Sequence, residues 1–135
     1  MFAKKKLRDD YVCYSLEILD YSIGYSVRIG QEGDQDENFH FDFQVQLSES
    51  VNSVSKGSII VYGTKDGGGG ALHYDSDKNL HGCLWMGNAG AIALSGLLAT
   101  GQTPRLVLWG NSFFRREARI RDISWYTAGH SELVE

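Results

Sequence analysis

The chain has 135 residues, with 42% apolar and 22% charged side chains, the size and make-up of one globular domain able to bury a core without disulfide staples. The formal net charge of −4 excludes broad binding to a nucleic-acid backbone, which needs a basic surface. Seven Tyr, six Phe, three Trp and sixteen Gly against one Pro favour strands and turns over a helix bundle.

Lys4, Lys5, Lys6 and Arg8 open the sequence and are followed by acidic residues rather than by an apolar stretch. That order does not write a secretory signal, so the expected setting is the cytoplasm. Residues 1–9, like residues 129–135, are expected to be loose termini.

Two alternating runs come next. Val12, Tyr14, Leu16 and Ile18 form the first, and Tyr21, Ile23, Tyr25, Val27 and Ile29 the second. Period two is the mark of a half-buried strand. With Asp20 between them, the two runs predict an antiparallel hairpin. Residues 31–38 read as an acidic loop. Phe39, Phe41, Phe43, Val45 and Leu47 then alternate with His40, Asp42, Gln44 and Gln46, the clearest strand in the chain.

Residues 48–58 read as a polar connection and residues 59–62 as a short β-branched strand. Gly67, Gly68, Gly69 and Gly70 suggest an exposed glycine loop, and Leu72 and Tyr74 begin another strand. Residues 75–79 make a polar turn. Residues 80–86 are strand-like.

Between Asn79 and Pro104 there is no Lys, Arg, Asp or Glu. Glycines and polar residues interrupt the stretch too often for a membrane span. Asn88 as N-cap, Gly101 just past the end and Pro104 beyond it instead predict a helix over residues 89–100. It is apolar on nearly every face, so it must be buried. Arg105 to Trp109 reads as a strand. Ala118 and Ile120, then Ile123 and Trp125, face inward with a slip of phase that predicts a bulge near Arg121–Asp122.

The expected fold is therefore mainly β (α+β). It is one domain over residues 1–135, an antiparallel sheet or sandwich of about seven or eight strands with one buried helix near 89–100. Cys13 and Cys83 read as small buried thiols, with their pairing left open.

Three constellations carry possible chemistry. Glu32, Asp34, Asp36, Glu37, Asp42 and Glu49 are acidic, with no Lys or Arg among residues 31–55. They form either a solvated face or a docking surface for a basic protein partner. The glycines at 67–70 with His73, and Arg115, Arg116, Arg119 and Arg121 further on, could hold a nucleotide or another phosphate compound. A phosphate loop, however, opens a helix, and here a strand follows. His73, Asp75, Asp77 and His81 have the donor types of a transition-metal site, as a metal-dependent enzyme would need, although Asp75 to Asn79 reads first as a plain polar turn. No nucleophile elbow or catalytic dyad is recognisable, and no cofactor is implied.

One segment resembles a known family. Ala93-x-x-x-Leu97-Leu98-Ala99-Thr100-Gly101-x-x-Pro104-x-x-Val107-x-Trp109 is similar to the final helix, turn and strand of some bacterial immunity proteins, which bind and neutralise polymorphic toxins. The match covers Ala93 to Trp109 alone, and this chain runs on beyond it. The resemblance implies a non-catalytic inhibitor of a toxin or effector, consistent with the acidic run. The alternatives from the residues themselves remain a small-ligand domain and a metal-dependent enzyme.

Overall fold

The computed structural model describes residues 10–33, 35–64 and 68–127, with backbone only at residues 36 and 37. Among them are β1 (Val12–Ile29), β2 (Gln35–Val51), β3 (Val54–Thr64), β4 (Gly69–Tyr74), β5 (Leu80–Gly87), α1 (Asn88–Ala99), β6 (Arg105–Gly110) and β7 (Glu117–Tyr126). They close into a barrel in the order β1-β2-β3-β5-β4-β7-β6, with β6 pairing back onto β1. The expected plain antiparallel sheet or sandwich is thus corrected to a closed mixed barrel. The β3–β5 pair is parallel and every other pair antiparallel. The cause is a skipped position: β4 lies one strand away from β3, and β5 inserts between them. Closure leaves the barrel itself without a free sheet edge.

Alternation fills the interior. Leu16 and Ile18 of β1, Phe41, Phe43 and Val45 of β2, Ile59 and Val61 of β3, Leu72 of β4, Leu80 and Leu84 of β5, Leu106 and Leu108 of β6, and Ala118 and Ile120 of β7 are all buried. The Phe41 and Phe43 rings stack at 5.4 Å. A seven-stranded barrel is narrow enough for side chains to fill it. Helix α1 links β5 to β6 and closes one end by burying Ala91, Leu94 and Leu98. Its N-cap is Gly87, with no side-chain cap, so Asn88 is the first helical residue rather than the cap. The predicted end holds: Thr100 is the C-cap and Gly101 follows at φ +89°, a conformation that favours glycine.

Other departures from the expectation have local causes. Residues 12–29 are a single strand, not a hairpin, because Asp20 sits at a register shift between Ile18 and Asp20 rather than in a turn. A bulge takes up the extra residue and keeps Tyr21 on the same face as Ile18. The polar connection at 48–58 shrinks to a two-residue hairpin, Val51 opposite Val54, with Asn52 and Ser53 both at positive φ, as a type I′ turn requires. The predicted bulge on β7 is present: Trp109 pairs with Asp122 and Gly110 with Ile120, leaving Arg121 over. The residues expected to be loose, 1–9 and 129–135, lie outside the described residues.

Candidate functional site

Strand β6 covers β1 only from Val12 to Glu17, whereas β1 and β2 stay paired out to Ile29 opposite Gln35. The distal half of this pair therefore projects past the barrel end that α1 closes. Helix and ribbon meet where Tyr21 Oη donates to the Leu98 carbonyl at 3.1 Å. Beyond that contact the inward alternation of β1 continues, but its side chains are only partly covered. Tyr21 is 37% exposed, Ile23 40%, Tyr25 54%, Val27 43% and Ile29 64%. They pair with Phe43, Phe41 and Phe39 and then with Glu37 and Gln35, so the β1 half of this ribbon face carries the core stripe out into solvent, beside aromatic residues of β2 as far as Phe39. Ile92 of α1, 55% exposed, is a further uncovered apolar side chain on the neighbouring helix. The opposite ribbon face is polar, with Ser22 paired to Asp42, Gly24 to His40, Ser26 to Asn38 and Arg28 to Asp36.

The acidic residues distribute along this ribbon rather than forming one compact patch. Glu32 lies exposed in its end turn. Asp36 and Glu37 follow on β2, Asp42 is exposed on the polar face, and Asp34 lies outside the described residues. Glu49 does not belong with them: at ~3.3 Å per residue it sits about 23 Å along β2 from Asp42. It instead borders an open depression of about 290 Å³ near the other end of the barrel, with Cys13, Ser15 and Ser48. Cys13 is exposed and free, which corrects the expectation of a buried thiol. Cys83 is half-buried and also free.

The glycine-loop reading is corrected. Gly67 lies outside the described residues, and Gly69 and Gly70 are the first residues of β4, not a hairpin tip. A Cβ at Gly70 would meet the Cys83 carbonyl oxygen at 2.2 Å, so this glycine serves strand packing. Of the basic residues, Arg115 and Arg116 form a tight turn at positive φ between Phe114 and Glu117. Arg119 lies opposite Ala71, and His73 opposite Glu117, so His73 and Arg119 share the outer surface as diagonal neighbours. Arg121 leaves this group and sits over the Tyr11 ring, 5.9 Å from its centroid. The proposed phosphate residues thus split over three places.

His73 and His81 pair across β4 and β5, with their rings stacked at 5.2 Å. Asp75 Oδ2 lies 3.0 Å from His81 Nε2, while its Oδ1 accepts the backbone N–H groups of Asp77 and Asn79 at 2.9 and 3.0 Å. The polar turn therefore consumes the carboxylate, and Asp77 enters through its backbone. Among the described residues no three His, Cys, Asp or Glu side chains are placed to hold a metal ion, so the metal-site alternative has no geometric support.

Nothing in the sequence marks the ribbon face, because Tyr21 to Ile29 has the same alternation as a core strand. The two alternating runs read as a hairpin, and only their fusion into one strand of 18 residues makes the element longer than a small barrel covers. Among the described residues no helix is long and apolar enough to cross a membrane. No family model, curated protein or solved structure matches the chain.

Proposed function

We propose that the chain is a non-catalytic binding protein. In its most concrete form it is an immunity or inhibitor protein of the bacterial cytoplasm that neutralises a basic toxin or effector by docking it on the β1–β2 ribbon. The observation that carries this reading is the exposed stripe Tyr21, Ile23, Tyr25, Val27 and Ile29 on an element that also bears Glu32, Asp36 and Glu37. Exposed apolar surface gathered into one patch marks an interaction site more than scattered apolar residues do. Tyrosines are the preferred anchors of protein interfaces. The acidic ribbon end would steer a basic partner and fix its orientation.

The test is co-expression with the product of the adjacent gene, scoring protection from toxicity and measuring complex formation by calorimetry. Protection and a stoichiometric complex are expected for the native chain. A double substitution, Ile23→Asp with Tyr25→Asp, should remove both while leaving a cooperatively folded chain, as read from melting at low protein concentration. A folded chain that neither binds nor protects ends this reading.

A further inference from the structure

The ribbon carries a second feature, independent of what docks on its face. Since β6 stops pairing at Glu17, the side of β1 away from β2 has no neighbouring strand over Asp20–Arg28 among the described residues. A free edge of this kind is a template for another strand, and proteins usually blunt it with Lys, Pro or a very short length. Along Tyr21–Val27 this edge has none of these devices, and the bulge between Ile18 and Asp20 lies before it. It holds no Lys and no Pro, and Arg28 is its one basic residue.

Its residue order is close to palindromic about Gly24. On the polar face Asp20 balances Arg28 and Ser22 balances Ser26. On the apolar face Tyr21 balances Val27 and Ile23 balances Tyr25. We infer that β1 pairs antiparallel with β1 of a second copy of this chain, two-fold about Gly24. In that register Asp20 faces Arg28 of the second copy, twice by symmetry. Directly opposed residues in an antiparallel pair share a face, so apolar meets apolar and polar meets polar. A slip of one residue in this register would place the apolar stripe of one copy beside the polar stripe of the other.

The centre of the pairing is suited to close approach. Gly24 has no side chain, and the space a Cβ would take is filled by the His40 ring at 2.2 Å. The nine residues of each edge supply roughly nine ladder hydrogen bonds between the copies. The product is a continuous four-stranded sheet in which the two apolar stripes lie side by side, and whose outer faces stay open to other partners. A two-fold, self-complementary contact is the commonest way soluble chains associate.

The experiment combines sedimentation across a concentration series with charge reversal. The native chain is expected to be a dimer. Asp20→Arg and Arg28→Asp each replace two attractive contacts by two repulsive ones, and each should weaken dimerisation about tenfold, less at high salt. The double variant restores the pairing and should return to the native constant. Register is read by oxidation in a Cys13→Ser, Cys83→Ser background. A Ser22→Cys chain mixed with a Ser26→Cys chain should cross-link between copies, whereas either chain alone should not. A native chain that stays monomeric over the whole series overturns the inference. So does a dimer indifferent to the charge reversals, or one in which the mixed cysteines fail to link.

Discussion

Asp75 divides its carboxylate between two tasks: Oδ2 holds His81 Nε2 at 3.0 Å, and Oδ1 holds the backbone N–H groups of Asp77 and Asn79. One side chain thereby closes the β4–β5 turn and tethers it to the outer face of β5. The turn is also closed by backbone bonds, Asp75 N–H to the Asn79 carbonyl at 3.1 Å and Lys78 N–H to the Asp75 carbonyl at 3.0 Å, with Lys78 at φ +67°.

The same contacts set a pH response. The hydrogen bond with His81, aided by those from Asn79 and Asp77, lowers the Asp75 carboxyl from 3.8 to about 2. A carboxyl whose folded value is depressed contributes stability that is fully present above its unfolded value and lost as pH falls toward the folded one. The native chain is therefore expected to lose this contribution between about pH 4 and pH 2. Asp75→Asn should be less stable at neutral pH and show a flatter profile in that window. Melting curves at stepped pH check this, and parallel profiles for the two proteins would refute it.

Tyr14 makes the corresponding alkaline prediction. Its ring is buried, and its hydroxyl donates to the Asn111 carbonyl at 2.7 Å. Burial, with a smaller effect of the Asp10 charge, pushes the phenol up from 10.0 to about 12. A raised value means that the stability is whole below pH 10 and is lost as pH rises through about 12. Tyr14→Phe should cost about 1–2 kcal/mol at neutral pH by removing the buried hydrogen bond from the Tyr14 hydroxyl. It should also abolish the loss of stability over the alkaline range. Denaturant titration at neutral and alkaline pH measures both effects, and a neutral substitution would contradict the first.

Strand identity was legible wherever one face is buried, because alternation at Phe41, Phe43 and Val45 or at Leu106 and Leu108 has no other reading. The helix end at Gly101 and the bulge at Arg121 were legible for the same local reasons. Barrel closure was not. Whether β6 returns to β1, and whether β5 inserts beside β3, depends on long-range pairing that leaves no period in the sequence. The ribbon was hidden for a subtler reason. Tyr21 to Ile29 has the composition of a core strand, and only the early end of β6 decides that nothing covers it. His73, Asp75 and His81, three of the four grouped by donor type, do come together, yet the backbone of the turn takes the carboxylate that a metal would need.

Gly70 shows how a glycine run can mislead. It lies at φ +135°, and an added Cβ would meet the Cys83 carbonyl oxygen at 2.2 Å and the Leu84 Cα at 2.8 Å. Both obstacles are backbone of β5, so no rotamer change relieves them. Gly70→Ala should destabilise the chain by about 2–5 kcal/mol, the sum of a disfavoured φ and overpacking. Gly68→Ala faces only the Trp85 carbonyl at 3.1 Å and should cost less. Thermal unfolding of the two variants gives the comparison, and equal tolerance at both positions would show that β4 does not lie against β5 in this way.

The ribbon face makes the last prediction, because a surface kept for a partner should be dispensable to the fold. Phe41 is fully buried, and Phe41→Ala should cost about 3–5 kcal/mol as lost transfer energy and cavity. On β1, four and six residues beyond Ile23, which pairs with Phe41, Val27 and Ile29 continue the same face past the barrel and are 43% and 64% exposed. Val27→Thr and Ile29→Thr keep the β-branched shape that a strand favours and should change stability by no more than about 0.5 kcal/mol. The contrast separates the core part of the stripe from the part that extends beyond it. Measurements belong at low protein concentration, where association through the β1 edge does not add to the apparent stability. A cost above about 2 kcal/mol at Ile29 would mean that the isolated chain already buries this face, and the ribbon would then be part of the core rather than a place for a partner.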